Sequence, residues 1–159
     1  EAKKCIGPGR PSSYGDTDLS DVNVDSFMQI HSFDHPVIRH LRTRKNYIKS
    51  LIDFGGHIGV KYYAYNKMLP DIRELKWTGV DGTFCVELGR MEASQRFAAN
   101  LFFSSNIREA GACDLLLLSG ALQYVEPSIE ELLDSMVRLP HLAKKQVTEG
   151  NGKDPLYTP

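Results

Sequence analysis

Residues 51–59 constrain this chain more than any other stretch. They run LIDFGGHIG: a short apolar segment, a carboxylate and then a glycine-rich turn. In a parallel sheet, this order of features places a nucleotide-sized ligand at the carboxyl edge of the strand. The glycines let the backbone turn sharply and come close to a ligand. A helix predicted over 60–69 directs its N-terminal amides into the same crevice.

Length and charge fit one globular domain. The chain has 159 residues, enough for a hydrophobic core of its own. Its formal net charge of −1 gives no electrostatic basis for binding nucleic acid or an anionic membrane surface. The basic cluster within 39–49 is local and is expected to be a solvated helix face. We therefore predict neither nucleic acid nor membrane as a partner.

The cysteines indicate a reducing compartment. Cys5, Cys85 and Cys113 are odd in number and widely spaced, without a CxxC motif, which argues against a disulfide framework or a zinc knuckle. No apolar run approaches the roughly 20 residues that span a bilayer, and no signal-peptide pattern opens the chain. We expect a cytoplasmic location.

Strand and helix patterns alternate along the chain. The predicted strands are 47–54, 75–80, 100–103 and 113–118, with 146–148 as a candidate fifth. One helix is predicted to begin at Asp34 as N-cap with Pro36 in its first turn, others cover 60–69 and 83–97, and the last begins at the capping box of Ser128 and Glu131. Residues 1–33 and 150–159 are expected to be irregular, the first as a tail or lid. This leaves 34–149 as one α/β domain.

The apolar pattern predicts which faces are buried. In the helix predicted to begin at Asp34, the residues expected to be buried are Val37, Ile38, Leu41 and Tyr47. In the helix predicted over 83–97, they are Phe84, Val86, Leu88, Met91 and Phe97. The strand 113–118 is the most apolar, so we expect it inside the sheet and covered on both faces. The alternation predicts a parallel sheet with helices on both faces and a ligand crevice above the strand ends.

The glycine turn is compatible with one of three common nucleotide sites. A phosphate-binding P-loop needs GxxxxGK[ST], which is absent. A dinucleotide fingerprint needs GxGxxG, but the third and sixth positions from Gly55 are His57 and Val60. A site for S-adenosylmethionine has one carboxylate before the glycines and a second at the end of the next strand. Asp53 and Asp81 fit both positions, although each has a simple cap or turn as its alternative role.

Three segments resemble one known superfamily. DFGGHIG at 53–59, the strand that ends at Asp81, and LSGALQYVEP at 118–127 are similar to class I (Rossmann-like) S-adenosylmethionine-dependent methyltransferases. Within these they are most similar to a poorly characterised group associated with bacterial surface-polysaccharide genes. The resemblance covers about 47–142. It implies an α/β fold, a Rossmann-like three-layer sandwich with a mostly parallel central sheet, which lacks part of the usual C-terminal strands because only 143–159 follow.

The resemblance also implies roles for individual residues. S-adenosylmethionine would be the cofactor, and the acceptor would be a hydroxyl of a sugar or another small molecule. The residues implied to bind the methionine part are Asp53, Gly55, Gly56 and Gly59; those for the ribose are Asp81 and Gly82; those near the adenine are Ser104 and Ser105; and those near the transferred methyl are Ser119, Gly120, Gln123 and Tyr124.

Several of these roles have plainer alternatives. His57 is a candidate general base, but it replaces a glycine of the superfamily turn and the alternative is a loop imidazole without chemistry. Gln123 and Tyr124 are candidates for orienting the acceptor, or they pack under a helix. No carboxylate or cysteine joins the histidines of 31–40 at ligand spacing, so no metal is predicted.

Two other functions stay open at this point. A shortened relative could be a non-catalytic module that binds a ligand or forms a homodimer through an open sheet edge. A different nucleotide-dependent enzyme could also use the same fold, because fold does not fix function.

Overall fold

The computed structural model describes residues 28–119, 121, 129–134 and 141–145. Strands and helices alternate through them, as the sequence predicts. The helices are α1 (His35–Thr43), α2 (Val60–Asn66), α3 (Thr83–Gln95), α4 (Ile107–Ala110) and α5 (Ile129–Asp134), with 3₁₀ turns at Ser32–Asp34 and Pro70–Glu74. The strands are β1 (Ser50–Phe54), β2 (Lys76–Val80), β3 (Leu101–Ser104), β4 (Leu115–Ser119) and β5 (His141–Lys145).

The described strands form one sheet in the order β3-β2-β1-β4-β5, and all neighbouring pairs are parallel. The predicted α/β class with a Rossmann-like parallel sheet is therefore confirmed. The fifth strand lies just before the candidate strand 146–148, which is outside the described residues. The strand order reverses between β1 and β4, so the crevice where such sheets bind ligands lies at the carboxyl ends of these two strands.

Strand β4 is buried on both faces, as predicted. Leu115 and Leu117 belong to the larger core cluster, on the side of α1 and α2, whereas Leu116 and Leu118 belong to the smaller cluster, which includes Leu132 of α5. All four leucines of the strand are fully buried. Successive side chains of a strand point to opposite faces, so a continuous apolar run is what a doubly covered strand requires.

The buried face of α3 differs from the prediction. Val86 is buried as expected and Leu88 is partly buried, but Phe84, Met91 and Phe97 are exposed, Phe97 to 93%. The buried residues of this helix are Cys85, Val86, Gly89 and Ala93. The helix presents small side chains to the sheet because an aromatic ring from β3 already fills the space between them.

That ring belongs to Phe103, and three glycines make room for it. A Cβ atom added to Gly89 would lie 2.5 Å from Phe103 Cε1, and one added to Gly79 would lie 3.0 Å from Phe103 Cδ1. Gly59, at the end of the glycine-rich turn, faces the same ring and the side chain of Leu101. One aromatic side chain thus sets the distances between α3, β2, β3 and the turn after β1.

The segments on both sides of α1 also differ from the prediction. Val37, Ile38 and Leu41 are buried as expected, but Tyr47 is 77% exposed, because residues 44–47 form a turn and β1 begins only at Ser50. Asp34 occupies the N-cap position, yet its side chain makes no capping bond.

The Asp34 carboxylate is fully buried and ties the segment before α1 to helix α2. It accepts hydrogen bonds from the His31 backbone N–H (2.9 Å), the Lys61 Nζ (3.0 Å) and the Tyr65 hydroxyl (2.9 Å). Lys67 Nζ donates to the Met28 carbonyl at 2.9 Å, and the Met28 side chain is buried. Residues 28–33, the end of the predicted tail or lid, are therefore packed onto this helix. The rest of that predicted segment lies outside the described residues.

The glycine at position 89 supplies a test of this packing. In an ordinary helix interior, Gly→Ala stabilises by roughly 1 kcal/mol. Here we expect Gly89→Ala to lower the free energy of unfolding by about 1–3 kcal/mol, because the added methyl overpacks against Phe103. Urea unfolding followed by the fluorescence of Trp77, the only tryptophan, measures it. In a protein that already carries Phe103→Leu, Gly89→Ala should lower the free energy of unfolding by less than it does in the unaltered chain. An equal decrease in both would contradict this account.

Candidate functional site

The two predicted carboxylates lie at the ends of neighbouring parallel strands. Asp53 is the penultimate residue of β1 and pairs in register with Gly79, while Asp81 directly follows Val80, the last residue of β2. Asp53 is fully buried and Asp81 is partly buried. Both carboxylates therefore lie at the same edge of the sheet, on either side of the turn that follows β1.

The turn itself uses left-handed backbone conformations three times. Gly55 has φ +73°, His57 φ +52° and Gly59 φ +88°. In this region a non-glycine residue is strained, by roughly 1–2 kcal/mol. His57 replaces a glycine of the resembled turn, and it keeps the backbone conformation that favours glycine.

The Asp81 carboxylate joins this turn to the start of α3. Its Oδ2 accepts the backbone N–H of His57 at 2.8 Å, and its Oδ1 accepts the backbone N–H of Gly82 at 2.7 Å. Cys85, in the first turn of α3, is buried, and burial together with the charge of Asp81 raises the pKa of its thiol. We call the two hydrogen bonds of the Asp81 carboxylate the Asp81 latch. It connects the loop that follows β2 to the glycine turn that follows β1.

Burial controls the charge of the His57 side chain. It lowers the pKa of this imidazole below the ordinary value of 6.5, and the negative charge of Asp81 opposes the shift only in part. The imidazole is therefore neutral at pH 7. A neutral imidazole can accept a proton, which is what the predicted role as a general base requires.

Two buried carboxylates lie near the hydroxyl of Tyr65 in α2. Burial is the main cause that raises the pKa of the Tyr65 hydroxyl, and the charges of Asp34 and Asp53 add to it. Two fully buried carboxylates are thus close enough to act on one hydroxyl, and Lys61 contacts the first of them. Lys61 Nζ lies 3.0 Å from an Asp34 carboxylate oxygen and balances its charge.

The glycines of the turn are required by the protein's own packing. A Cβ atom on Gly55 would collide with Ala121, and one on Gly56 would lie 2.8 Å from the Asp53 carbonyl oxygen. Gly59 faces β3, as described above. Gly82 differs, because a Cβ atom there would meet nothing within 4 Å. Among the predicted cofactor-binding glycines that the structure describes, only Gly82 therefore has open space where a side chain would lie, and it is next to Asp81.

The remaining predicted residues lie after β3 and β4. Ser104 ends β3, and its hydroxyl donates to the Asn106 carbonyl (2.9 Å), so its side chain serves a local turn; Ser105 is exposed. The Ser104 carbonyl accepts the Asp81 N–H at 3.3 Å, which places this strand end beside the latch. Ser119 ends β4. Gly120, Gln123 and Tyr124 lie outside the described residues, so their roles stay predictions.

Sequence reasoning found Asp34 only as an N-cap and missed its buried contacts with Lys61 and Tyr65. Among the described side chains, no group of three or more His, Cys, Asp and Glu could hold a metal ion. No helix within these residues is long and apolar enough to cross a membrane.

Comparison with solved structures shows the same fold in methyltransferases. A candidate caffeoyl-CoA O-methyltransferase of Staphylococcus aureus matches with a TM-score of 0.51 and 12% identity, over 79% of this chain and 60% of that one. A candidate O-methyltransferase of Nostoc punctiforme PCC 73102 (TM-score 0.48, 20% identity, 70% of this chain and 34% of that one) and PKMT2 of Rickettsia typhi in complex with AdoHcy (0.42, 21%, 55% and 17%) also match. This chain spans less than two-thirds of each. No family model and no curated protein match the sequence.

The strained turn can be tested at His57. We expect His57→Gly to be more stable than His57→Ala by about 1 kcal/mol, because alanine keeps the cost of the left-handed conformation and glycine does not. Both variants lack the imidazole and keep the N–H that binds Asp81. Thermal unfolding compares the pair. Ser94, an exposed position of α3, is the control: there we expect Ser94→Ala to be more stable than Ser94→Gly, the reverse of the order at His57. Greater stability of His57→Ala would contradict the strain.

Proposed function

We propose that this domain binds S-adenosylmethionine at the carboxyl ends of β1 and β2 and transfers its methyl group to an oxygen of a small molecule. The observation that carries the proposal is the pair of carboxylates, Asp53 and Asp81, on neighbouring strand ends around the glycine turn. The fold shared with the S. aureus protein supports it. In this proposal the Asp81 carboxylate accepts a hydrogen bond from a ribose hydroxyl of the cofactor, in the open space beside Gly82. Asp53 lies toward the methionine part of the cofactor.

The charge of the site supports this ligand over the other nucleotides considered. S-adenosylmethionine carries a positive sulfonium and ammonium group, whereas NADH carries a negative pyrophosphate. Asp53 and Asp81 are acidic side chains at two neighbouring strand ends, and a carboxylate attracts a sulfonium or ammonium group but repels a pyrophosphate, so the sulfonium ligand is the better electrostatic match. Helix α2 also lacks the GxGxxG turn through which pyrophosphate is usually bound.

Methyl transfer requires little chemistry from the protein. The methyl carbon–sulfur bond breaks as the acceptor oxygen forms its bond to the same carbon, and S-adenosylhomocysteine leaves as a neutral thioether. The sulfonium is already activated, so alignment of acceptor and methyl supplies most of the rate. A hydroxyl acceptor also loses a proton, and we assign its acceptance to the neutral imidazole of His57. Gln123 and Tyr124 would orient the acceptor.

The acceptor class rests on the resemblance alone. The group that the sequence resembles most is associated with bacterial surface-polysaccharide genes, so we propose a sugar hydroxyl, or the hydroxyl of another small molecule. The rival function, a homodimer through an open sheet edge, gains no support at β3. There the Arg90 guanidinium donates to the Phe103 carbonyl at 2.9 Å and the Leu101 N–H to the Ala98 carbonyl at 3.1 Å, so part of that edge is already bonded.

Ligand binding tests the proposal. At a hundredfold excess over its dissociation constant, S-adenosylhomocysteine should stabilise the full chain by about 2.7 kcal/mol in thermal unfolding. We expect Asp81→Asn to weaken this binding about tenfold or more in calorimetry, because it removes a charged hydrogen-bond acceptor. Asp71→Asn, on the exposed 3₁₀ turn, is the matched control and should bind as the unaltered chain does. Stabilisation by NADH instead would favour a different nucleotide-dependent enzyme, and none by either ligand would favour a non-catalytic module.

A further inference from the structure

A cavity lies at the opposite edge of the sheet from the proposed cofactor site. It has a volume of about 400 Å³ and is bordered by the end of α1, the turn that follows it and the 3₁₀ turn Pro70–Glu74. The lining residues Ile48 and Lys49 directly precede β1, and Leu75 directly precedes β2, so the cavity is at the amino ends of these strands. The buried residues that line it are all apolar: Leu41, Ile48, Leu69, Ile72 and Leu75.

Positive charge surrounds the opening of this cavity. The exposed charged residues that line it are Arg42, Lys45, Lys49, Asp71 and Glu74. The Lys45 ammonium lies 3.0 Å from Asp71, but both side chains are 60% exposed, so this pair contributes little. The side chains of Arg42 and Lys49 donate to backbone carbonyls, which are neutral, each at 3.3 Å. Residues 39–49 as a whole carry five cations and no acidic residue, so an anionic group is attracted here.

The sequence just before the described residues has a complementary composition. Residues 16–27 read DTDLSDVNVDSF, with four aspartates and neither lysine nor arginine, in a chain whose formal net charge is only −1. The apolar residues among them are Leu19, Val22, Val24 and Phe27. Aspartates match the exposed cations of the cavity, and apolar side chains match its buried lining.

These residues are joined to the described part of the chain beside the cavity. Met28 is buried, and its carbonyl accepts a hydrogen bond from Lys67 Nζ at 2.9 Å. Lys67 directly precedes Met68, which lines the cavity. Residues 16–27 are thus tethered close to it, and a short tether gives an effective concentration on the order of 1 mM, at which individually weak contacts are enough for binding.

We propose that this cavity binds residues 16–27 of the same chain, with aspartates near Arg42 and Lys49 and apolar side chains against the buried lining. The segment then lies at the amino ends of the strands and is not a lid over the cofactor crevice, which is at their carboxyl ends. The inference uses none of the residues of the cofactor site, so it stands or fails independently of the proposed function.

Hydrogen exchange in the full chain, read by mass spectrometry at low salt and without any cofactor, tests this proposal. The amides of 16–27 should exchange about tenfold more slowly than in a synthetic peptide of the same sequence. Lys49→Glu should reduce this protection about threefold or more, because it repels the aspartates. Arg108→Glu, at an exposed position of α4, is the matched control and should leave the protection unchanged. Slow exchange in β4 verifies that each variant is folded; if Lys49→Glu disturbs β4, Arg42→Gln replaces it.

Charge reversal then identifies the partner of Lys49. Four chains combine Lys49→Glu with one further substitution each: Asp16→Lys, Asp18→Lys, Asp21→Lys or Asp25→Lys. Each chain is compared with the free peptide of its own sequence. At least one of the four should regain about half or more of the lost protection, because the attraction is restored with opposite signs.

Several results would overturn the inference. One is exchange of 16–27 in the unaltered chain as fast as in the free peptide. Another is protection that Lys49→Glu leaves unchanged, that Arg108→Glu removes equally, or that none of the four reversals restores, since the segment would then bind elsewhere. Protection that increases with protein concentration would assign the cavity to the segment of a second copy and overturn the assignment to the same chain.

Discussion

The crevice of this domain depends on one carboxylate. Asp81 binds the backbone N–H groups of His57 and Gly82 at 2.8 and 2.7 Å, and so connects the loops that follow two neighbouring strands. Hydrogen bonds to a charged group contribute about 1.5–3 kcal/mol each. The same side chain is the proposed ribose ligand. A ligand at this point meets a carboxylate that is already ordered, which lowers the entropic cost of binding.

The glycine turn shows why a motif alone is weak evidence of a ligand. Gly55, Gly56 and Gly59 each lie against the protein's own atoms, so the fold would demand glycine there without any cofactor. Their contribution to a ligand site is indirect. Gly59 packs closely on β3 and Gly55 packs closely on Ala121, so the turn lies close to the sheet. In the proposed site, a ligand would contact the Asp81 side chain and occupy the open space at Gly82.

Local sequence patterns predicted the parts of the fold that local physics decides. The apolar run of β4 and the placement of Asp53 and Asp81 follow from strand-length segments, and all are found as expected. The buried face of α3 could not be predicted, because Gly89 faces the sheet only to accommodate Phe103, a contact between different elements. Propensity and periodicity contain no information about such a partner.

The same limit applies to the candidate site. Asp34 has the sequence signature of an N-cap, but its carboxylate is instead buried against Lys61 and Tyr65, which lie 27 and 31 residues later. The latch between Asp81 and His57 spans 24 residues and depends on the left-handed backbone conformation of that histidine. Strand ends were predictable as places where ligand-binding residues gather; the bonds among those residues were not.

The account is tested most directly by a crystal structure of the full chain with S-adenosylhomocysteine. It predicts a ribose hydroxyl within hydrogen-bonding distance of the Asp81 carboxylate, next to Gly82, with the His57 N–H still bound to the same side chain. A nucleoside bound elsewhere, or an Asp81 side chain turned away from it while the turn keeps its shape, would contradict the central claim.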